Sequence, residues 1–139
     1  MRNARVTVFG LGLSLAGCGG ATLPEAFEEA AGGLISIILD PSTVGKGDGR
    51  QIRVTGTDKE QILVRFLSEL LYLYDGLGFV AREISVESLS DTELCAAVKG
   101  EKFQSDRHTT RLDVKAITYH QISVEESGEG ARVRVFLDI

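Results

Sequence analysis

The chain has 139 residues, of which 43% are apolar and 25% charged, with a formal net charge of −5. That length suits one domain, residues 1–139, with a buried core and no room for a second. The acidic balance supplies no field toward phosphate backbones, so direct nucleic-acid binding is not expected. Basic and acidic residues balance from Lys99 onward, which leaves no hidden basic domain.

Two readings stand for the amino-terminal stretch. Met1 to Arg5 carries two arginines and no acid, Val6 to Leu15 is almost wholly apolar, and Leu15-Ala16-Gly17-Cys18 has the form of a lipoprotein cleavage box. This would be an export signal with a lipid-modified Cys18. The alternative is a buried hairpin over Val6 to Ala16, with Gly17-Cys18-Gly19-Gly20 as its loop. Two features favour the hairpin: no tether separates Cys18 from the helix start at Thr22, and cleavage would strip strands from a small core. Cys18 and Cys95 are the only cysteines, too few for a disulfide scaffold and without metal spacing, which fits a reduced, cytoplasmic setting. No membrane contact is expected unless Cys18 is lipidated.

Thr22-Leu23-Pro24-Glu25 reads as a capping box with an early-turn proline. Leu23, Phe27, Ala30, Leu34 and Ile38 then recur at helical spacing, which predicts a helix over 23–38. Gly32-Gly33 in its middle implies close packing against a neighbour or an early end. Asp40-Pro41 stops it, because proline moves the preceding residue out of the helical region. A strand is predicted over Gln51–Thr55. Asp58 opens a second helix, capped with Gln61, whose stripe runs Ile62, Leu63, Phe66, Leu67, Leu70, Leu71 and Tyr74. Asp75-Gly76 turns out of it.

Further strands are predicted over Phe79–Val86, Leu94–Val98, Arg111–Val124 and Ala131–Ile139, with a turn at Ser88–Asp91, a polar loop over Gly100–Thr110 and a hairpin connection at Glu125–Gly130. The class is α+β, two helices packed on a mostly antiparallel or mixed β-sheet. At period two, Val114, Ala116, Thr118, His120, Ile122 and Val124 share one face of the long strand. That makes His120 a core histidine satisfied by backbone and Tyr119 a partly buried aromatic. Asp138 faces away from Val133, Val135 and Leu137. It lies one residue from the α-carboxylate of Ile139, and oxygen pairs of this kind suit Ca²⁺ or Mg²⁺. A solvated chain end is the simpler account of the same spacing.

His108-Thr109-Thr110 fits half of a two-histidine phosphodiesterase motif, which would suit a stand-alone RNA-end enzyme. His120-Gln121-Ile122 fails as the second half. No nucleophile elbow, phosphate loop or zinc spacing is present.

Lys115-Ala116-Ile117-Thr118-Tyr119-His120 is the most specific string in the chain. With Leu70 to Asp75, Gly100-Glu101 ahead of His108, and terminal Leu137-Asp138-Ile139, it resembles the archease family over residues 22–139. The resemblance implies an accessory protein, not an enzyme, that helps an RtcB-type RNA ligase become guanylylated and turn over in tRNA splicing and RNA repair. It implies an acidic metal site, Asp40, Asp138 and Ile139 here, with calcium or magnesium. Lys115, His108, His120 and Tyr119 are implied as contacts to the partner's active site. The family's amino-terminal Asp-His-Thr-Ala-Asp motif is absent; Val6-Thr7-Val8-Phe9-Gly10 stands in its place, so residues 1–21 are a divergent segment.

Overall fold

In the computed structural model, residues 3–9 and 12–18 are described by their backbone, and residues 22–128 and 130–139 in full. Thr22 caps α1 (Leu23–Ile38): its hydroxyl oxygen accepts from the Glu25 N–H and its hydroxyl donates to the Glu25 carboxylate. The helix ends where expected, at Leu39 and the Asp40-Pro41 break. α2 (Lys59–Asp75) starts at Asp58, whose carboxylate accepts from the Gln61 N–H at 2.8 Å. The Gln61 side chain reaches one residue further back than a simple capping box would, to the Thr57 N–H at 2.9 Å.

Among the described residues seven strands accompany the helices: β1 (Asn3–Phe9), β2 (Gly12–Cys18), β3 (Asp48–Thr55), β4 (Phe79–Leu89), β5 (Glu93–Lys102), β6 (Ala116–Ser127) and β7 (Gly130–Asp138). They form two sheets, β1-β2-β7-β6 and β3-β5-β4, in which every ladder is antiparallel. The expected amino-terminal hairpin is β1–β2. Its second strand runs through Gly17 and Cys18, which pair with Val133 and Arg132, so those two residues are strand and not loop. The Cys18 side chain lies outside the described residues, and the lipid-modification reading with it.

Each helix touches both sheets: α1 packs on β4 and on β2 and β7, α2 on β6 and on β3 and β4. One apolar cluster therefore joins the layers. Phe27 of α1 and Phe66 of α2 stack at its centre with ring centroids 6.4 Å apart, both fully buried. Truncating either to alanine costs about 3–5 kcal/mol by loss of transfer energy and creation of a cavity. Gly32 departs from expectation, since a Cβ there would meet nothing within 4 Å; it faces an open groove between α1 and β4, not a close neighbour.

The long strand predicted over Arg111–Val124 is shorter and later. Residues 111–115 are irregular, and β6 begins at Ala116. The expected facing fails with it: Ile117 is buried and Ala116 exposed. Between the pairs Thr118–Phe136 and Ser123–Arg134, β6 has four residues where β7 has one, and Gln121 sits at φ 50°. A bulge of this size breaks the alternation and re-aims the side chains on it.

Candidate functional site

β7 delivers Asp138. Val133, Val135 and Leu137 point into the core and are almost fully buried, which leaves Asp138 exposed on the opposite face, as its spacing predicts. The backbone of Asp138 is held on both sides, paired with Gly12 of β2 and Ala116 of β6, and the Ile139 side chain packs against the core. Asp138 is thus an anchored position and not a frayed end.

The Lys115 N–H donates to the Asp138 carbonyl oxygen at 2.7 Å. That bond fixes an exposed lysine beside an exposed aspartate at one end of the sheet. Neither side chain has an ion-pair or hydrogen-bond partner among the described residues.

Asp40 is reached through the same segment but is already occupied. Its N–H donates to the Thr109 carbonyl, and its carboxylate oxygen Oδ1 accepts from the Ser42 N–H at 3.0 Å and the Ser42 hydroxyl at 2.8 Å. Arg111 Nη2 lies 3.9 Å away. The Ser42 bonds first, and then Arg111 and Arg82, hold the Asp40 carboxyl below the usual aspartate range. Asp40 serves as the N-cap of the short 3-10 turn over Pro41–Thr43. Among the described residues no group of three or more His, Cys, Asp or Glu side chains comes together to hold a metal ion. With Asp40 engaged by Ser42, these side chains do not by themselves fit a resident calcium or magnesium ion.

The two histidines exchange the roles expected of them. His108, placed by its sequence in an open loop, is 4% exposed. Its Nδ1 accepts from the Gln104 N–H at 2.9 Å, so Nε2 carries the proton and donates to Glu101 Oε2 at 2.7 Å. The same carboxylate oxygen accepts from the Gly45 N–H and from Arg107. The Gly45 bond first, then His108 and Arg107, keeps the Glu101 carboxyl below its ordinary range. His108 is thus a latch that ties segment 103–115 to β5, and neither ring nitrogen is open for acid–base chemistry. Beside it, a Cβ on Gly100 would lie 1.8 Å from the Val80 carbonyl oxygen, so only glycine fits. Gly100-Glu101 and His108 mark this latch.

His120 is exposed, not a core histidine, and its ring meets Phe136 edge-on at 5.3 Å. Tyr119 is 53% exposed, not partly buried. The bulge accounts for both: it lifts residues 119–122 off the ladder, with Arg134 Nε donating to the Gln121 carbonyl across it. The influence of Asp113 on Asp75 is one that sequence reading missed. Burial first, and then Asp113, raises the Asp75 carboxyl above its ordinary range. Asp75-Gly76 carried only a turn signal, and nothing in the spacing links Asp75 to Asp113.

These features define a class of small α+β protein that presents an anchored, ionisable sheet end while its buried histidine is spent on structure. The model of the archease protein family (MTH1598/TM1083) matches residues 16–139. Curated relatives named protein archease include one from Methanosarcina acetivorans, 34% identical over 124 residues that cover 86% of this chain and 85% of that one. Another, from Pyrococcus abyssi, is 38% identical over 115 residues, 80% of each chain. The chain belongs to the archease family. Two solved structures share the fold: Methanobacterium thermoautotrophicum protein 1598, with a TM-score of 0.78 at 24% identity over 96% of each chain, and an archease from Thermotoga maritima. The latter, described as a possible chaperone, has a TM-score of 0.63 at 16% identity and covers all of this chain and 98% of that one. Among the described residues no helix is long and apolar enough to cross a membrane.

Proposed function

We propose that this protein is an accessory factor that activates an RtcB-type RNA ligase in the cytoplasm, promoting guanylylation and repeated turnover of that enzyme in tRNA splicing and RNA repair. Membership of the archease family supports the accessory role. The observation that carries the site is the pairing of Lys115 with Asp138, two exposed side chains of opposite charge fixed by a 2.7 Å backbone bond. In this reading the Asp138 carboxylate and the Lys115 ammonium enter the partner's reaction centre and act on groups held there. With Asp40 capping Ser42, Asp138 offers too few oxygens for a resident calcium or magnesium ion, so its carboxylate supplements the partner's own set. Tyr119 and His120, raised on the bulge, contribute contact area beside them. His108 enters only as the latch that holds segment 103–115, and with it Lys115, in place.

The test is multiple-turnover ligation with catalytic amounts of the cognate ligase, with and without this protein. Wild type accelerates turnover. Asp138→Ala and Lys115→Ala each abolish most of the acceleration while melting within a few degrees of wild type. Unchanged acceleration by both variants would remove the site assignment.

A further inference from the structure

We infer that the free edge of β4 at Ile84 takes up an extended, acidic segment of the partner protein as an added strand, in the groove between β4 and α1. This inference rests on the ligase reading above and adds to it a second contact that binds but does no chemistry. β4 is an edge strand of the sheet β3-β5-β4. The Val86 N–H points away from β5 and donates to the Glu28 carboxylate of α1 at 2.7 Å. The register with β5 is unbroken from Glu83 to Val86, so Ile84 turns its N–H and its carbonyl to the same free side as Val86. Neither group has a partner among the described residues. On both sides of Ile84 the edge is closed. Register shifts fall between Ala81 and Glu83 and between Val86 and Ser88, Glu28 covers Val86, and Arg82 folds over to the Pro41 and Val44 carbonyls. Such devices keep an edge from pairing at random, and the opening they leave at Ile84 fits one short strand.

Ile84 lines an open groove of about 730 Å³ whose other wall is α1 from Glu28 to Ile37. Gly32 stands in that wall with nothing within 4 Å of where a Cβ would be, which leaves room for a side chain of the incoming strand. A second copy's β4 would bring its own α1 to the same place, so the occupant is a single extended segment and not another copy of this chain. The charges set its chemistry. Glu28 and Glu29 line one end of the groove, where Glu28 is spent on Val86, and Glu83 is paired with Lys46 at 3.0 Å. At the other end Arg82 and Arg111 bond only carbonyl oxygens, Arg82 those of Pro41 and Val44 and Arg111 that of Ser36 at 2.8 Å. Asp40, 3.9 Å from Arg111 Nη2, is held by Ser42. Two guanidiniums with donors to spare therefore line this end. An acidic side chain of the added strand finds charge-assisted bonds there, while its main chain exchanges two hydrogen bonds with Ile84.

The experiment uses the full-length protein and the cognate ligase. Amide hydrogen exchange compares Ile84 with β3, the other edge of the same sheet, in the absence and presence of saturating ligase. Affinity is measured for Ile84→Pro, which removes the outward N–H and none of the bonds to β5, and for Gly32→Phe, which fills the groove from the helix side. Exchange at Ile84 about tenfold slower with ligase, β3 unchanged, and binding about tenfold weaker in both variants, with Gly32→Ala at the wild-type value, support the added strand. Should Ile84→Pro fail to fold, the exchange at Ile84 and Gly32→Phe decide. Arg111→Gln weakens binding about threefold at low salt, the size of one exposed ion pair, and an unchanged affinity overturns the acidic occupant. Unaltered exchange at Ile84 and wild-type affinity of Gly32→Phe, in a setting where wild type stimulates ligation, would overturn the added strand and leave the ligase reading intact. A wild type that neither binds nor stimulates overturns both. Protection of Ile84 that grows with this protein's own concentration, without ligase, makes the edge a contact between copies, and the proposal fails.

Discussion

Lys115 donates its backbone N–H to the carbonyl of Asp138, and neither side chain has a hydrogen-bond or ion-pair partner among the described residues. The geometry is set by the backbone, so the side chains are free to be altered without loss of the bond. Asp138→Asn and Lys115→Met are therefore expected to change unfolding free energy by no more than about 0.5 kcal/mol, as for other surface substitutions. Urea denaturation checks this. A loss of several kcal/mol from either would mean that the pair is structural.

Gly100→Ala is expected to be far worse. The nearest atom to the new Cβ is backbone, the Val80 carbonyl oxygen at 1.8 Å, which cannot rotate away. Separation of the β4 and β5 strands at this point should cost about 3 kcal/mol or more, read as a lower urea midpoint at unchanged slope.

Gly32→Ala should do the reverse. The position lies mid-helix, its φ is not in the left-handed region, and the added methyl meets nothing within 4 Å. A gain of about 1 kcal/mol follows from helix propensity alone. A loss would show that the groove beside Gly32 is filled in solution.

The latch carries a pH dependence. The Glu101 carboxyl is held below its ordinary value in the folded state by Gly45, His108 and Arg107, so the folded protein binds fewer protons there than the unfolded chain. Its contribution is fully present above the unfolded glutamate value and is lost as pH falls through the depressed one. Glu101→Gln should lower the melting temperature at neutral pH, and the gap to wild type should close in acid. A gap independent of pH would contradict the ionic character of the latch.

Asp75 has the opposite sign. Its carboxyl is raised by burial and by Asp113, so the charged form is disfavoured in the folded state at neutral pH. Asp75→Asn should raise the melting temperature at pH 7, and the advantage should shrink as pH falls through the raised value and be gone below the ordinary aspartate value, where folded and unfolded chains are both protonated. Melting curves from pH 3 to 8 decide it.

Both helices were legible because their signals are local: a capping side chain at Thr22 and at Asp58, an apolar stripe, and Asp40-Pro41 or Asp75-Gly76 at the close. Asp138 was legible for a similar reason, since three alternating apolar residues ahead of it fix its face. What failed was alternation over residues 114–124. Period two holds only while a ladder stays in register, and the bulge at 119–122 put His120 and Tyr119 in solvent. His108 was misplaced because burial of a polar ring depends on finding Glu101 and the Gln104 N–H, and a sequence shows the spacing of such groups without their pairing. Asp40 was a candidate ligand through the family resemblance alone; its bonds to Ser42, two residues on, form a local cap at the Asp40-Pro41 break.

The central claim is that the charged end formed by Lys115 and Asp138 acts on another protein's reaction centre, and the formation of guanylylated ligase reports on it most directly. With GTP and the cognate ligase, wild type should raise the rate at which the ligase becomes guanylylated, and Asp138→Asn, which keeps shape and removes charge, should return that rate to the value without this protein. A rate unaffected by wild type, or equally raised by Asp138→Asn, would contradict the account.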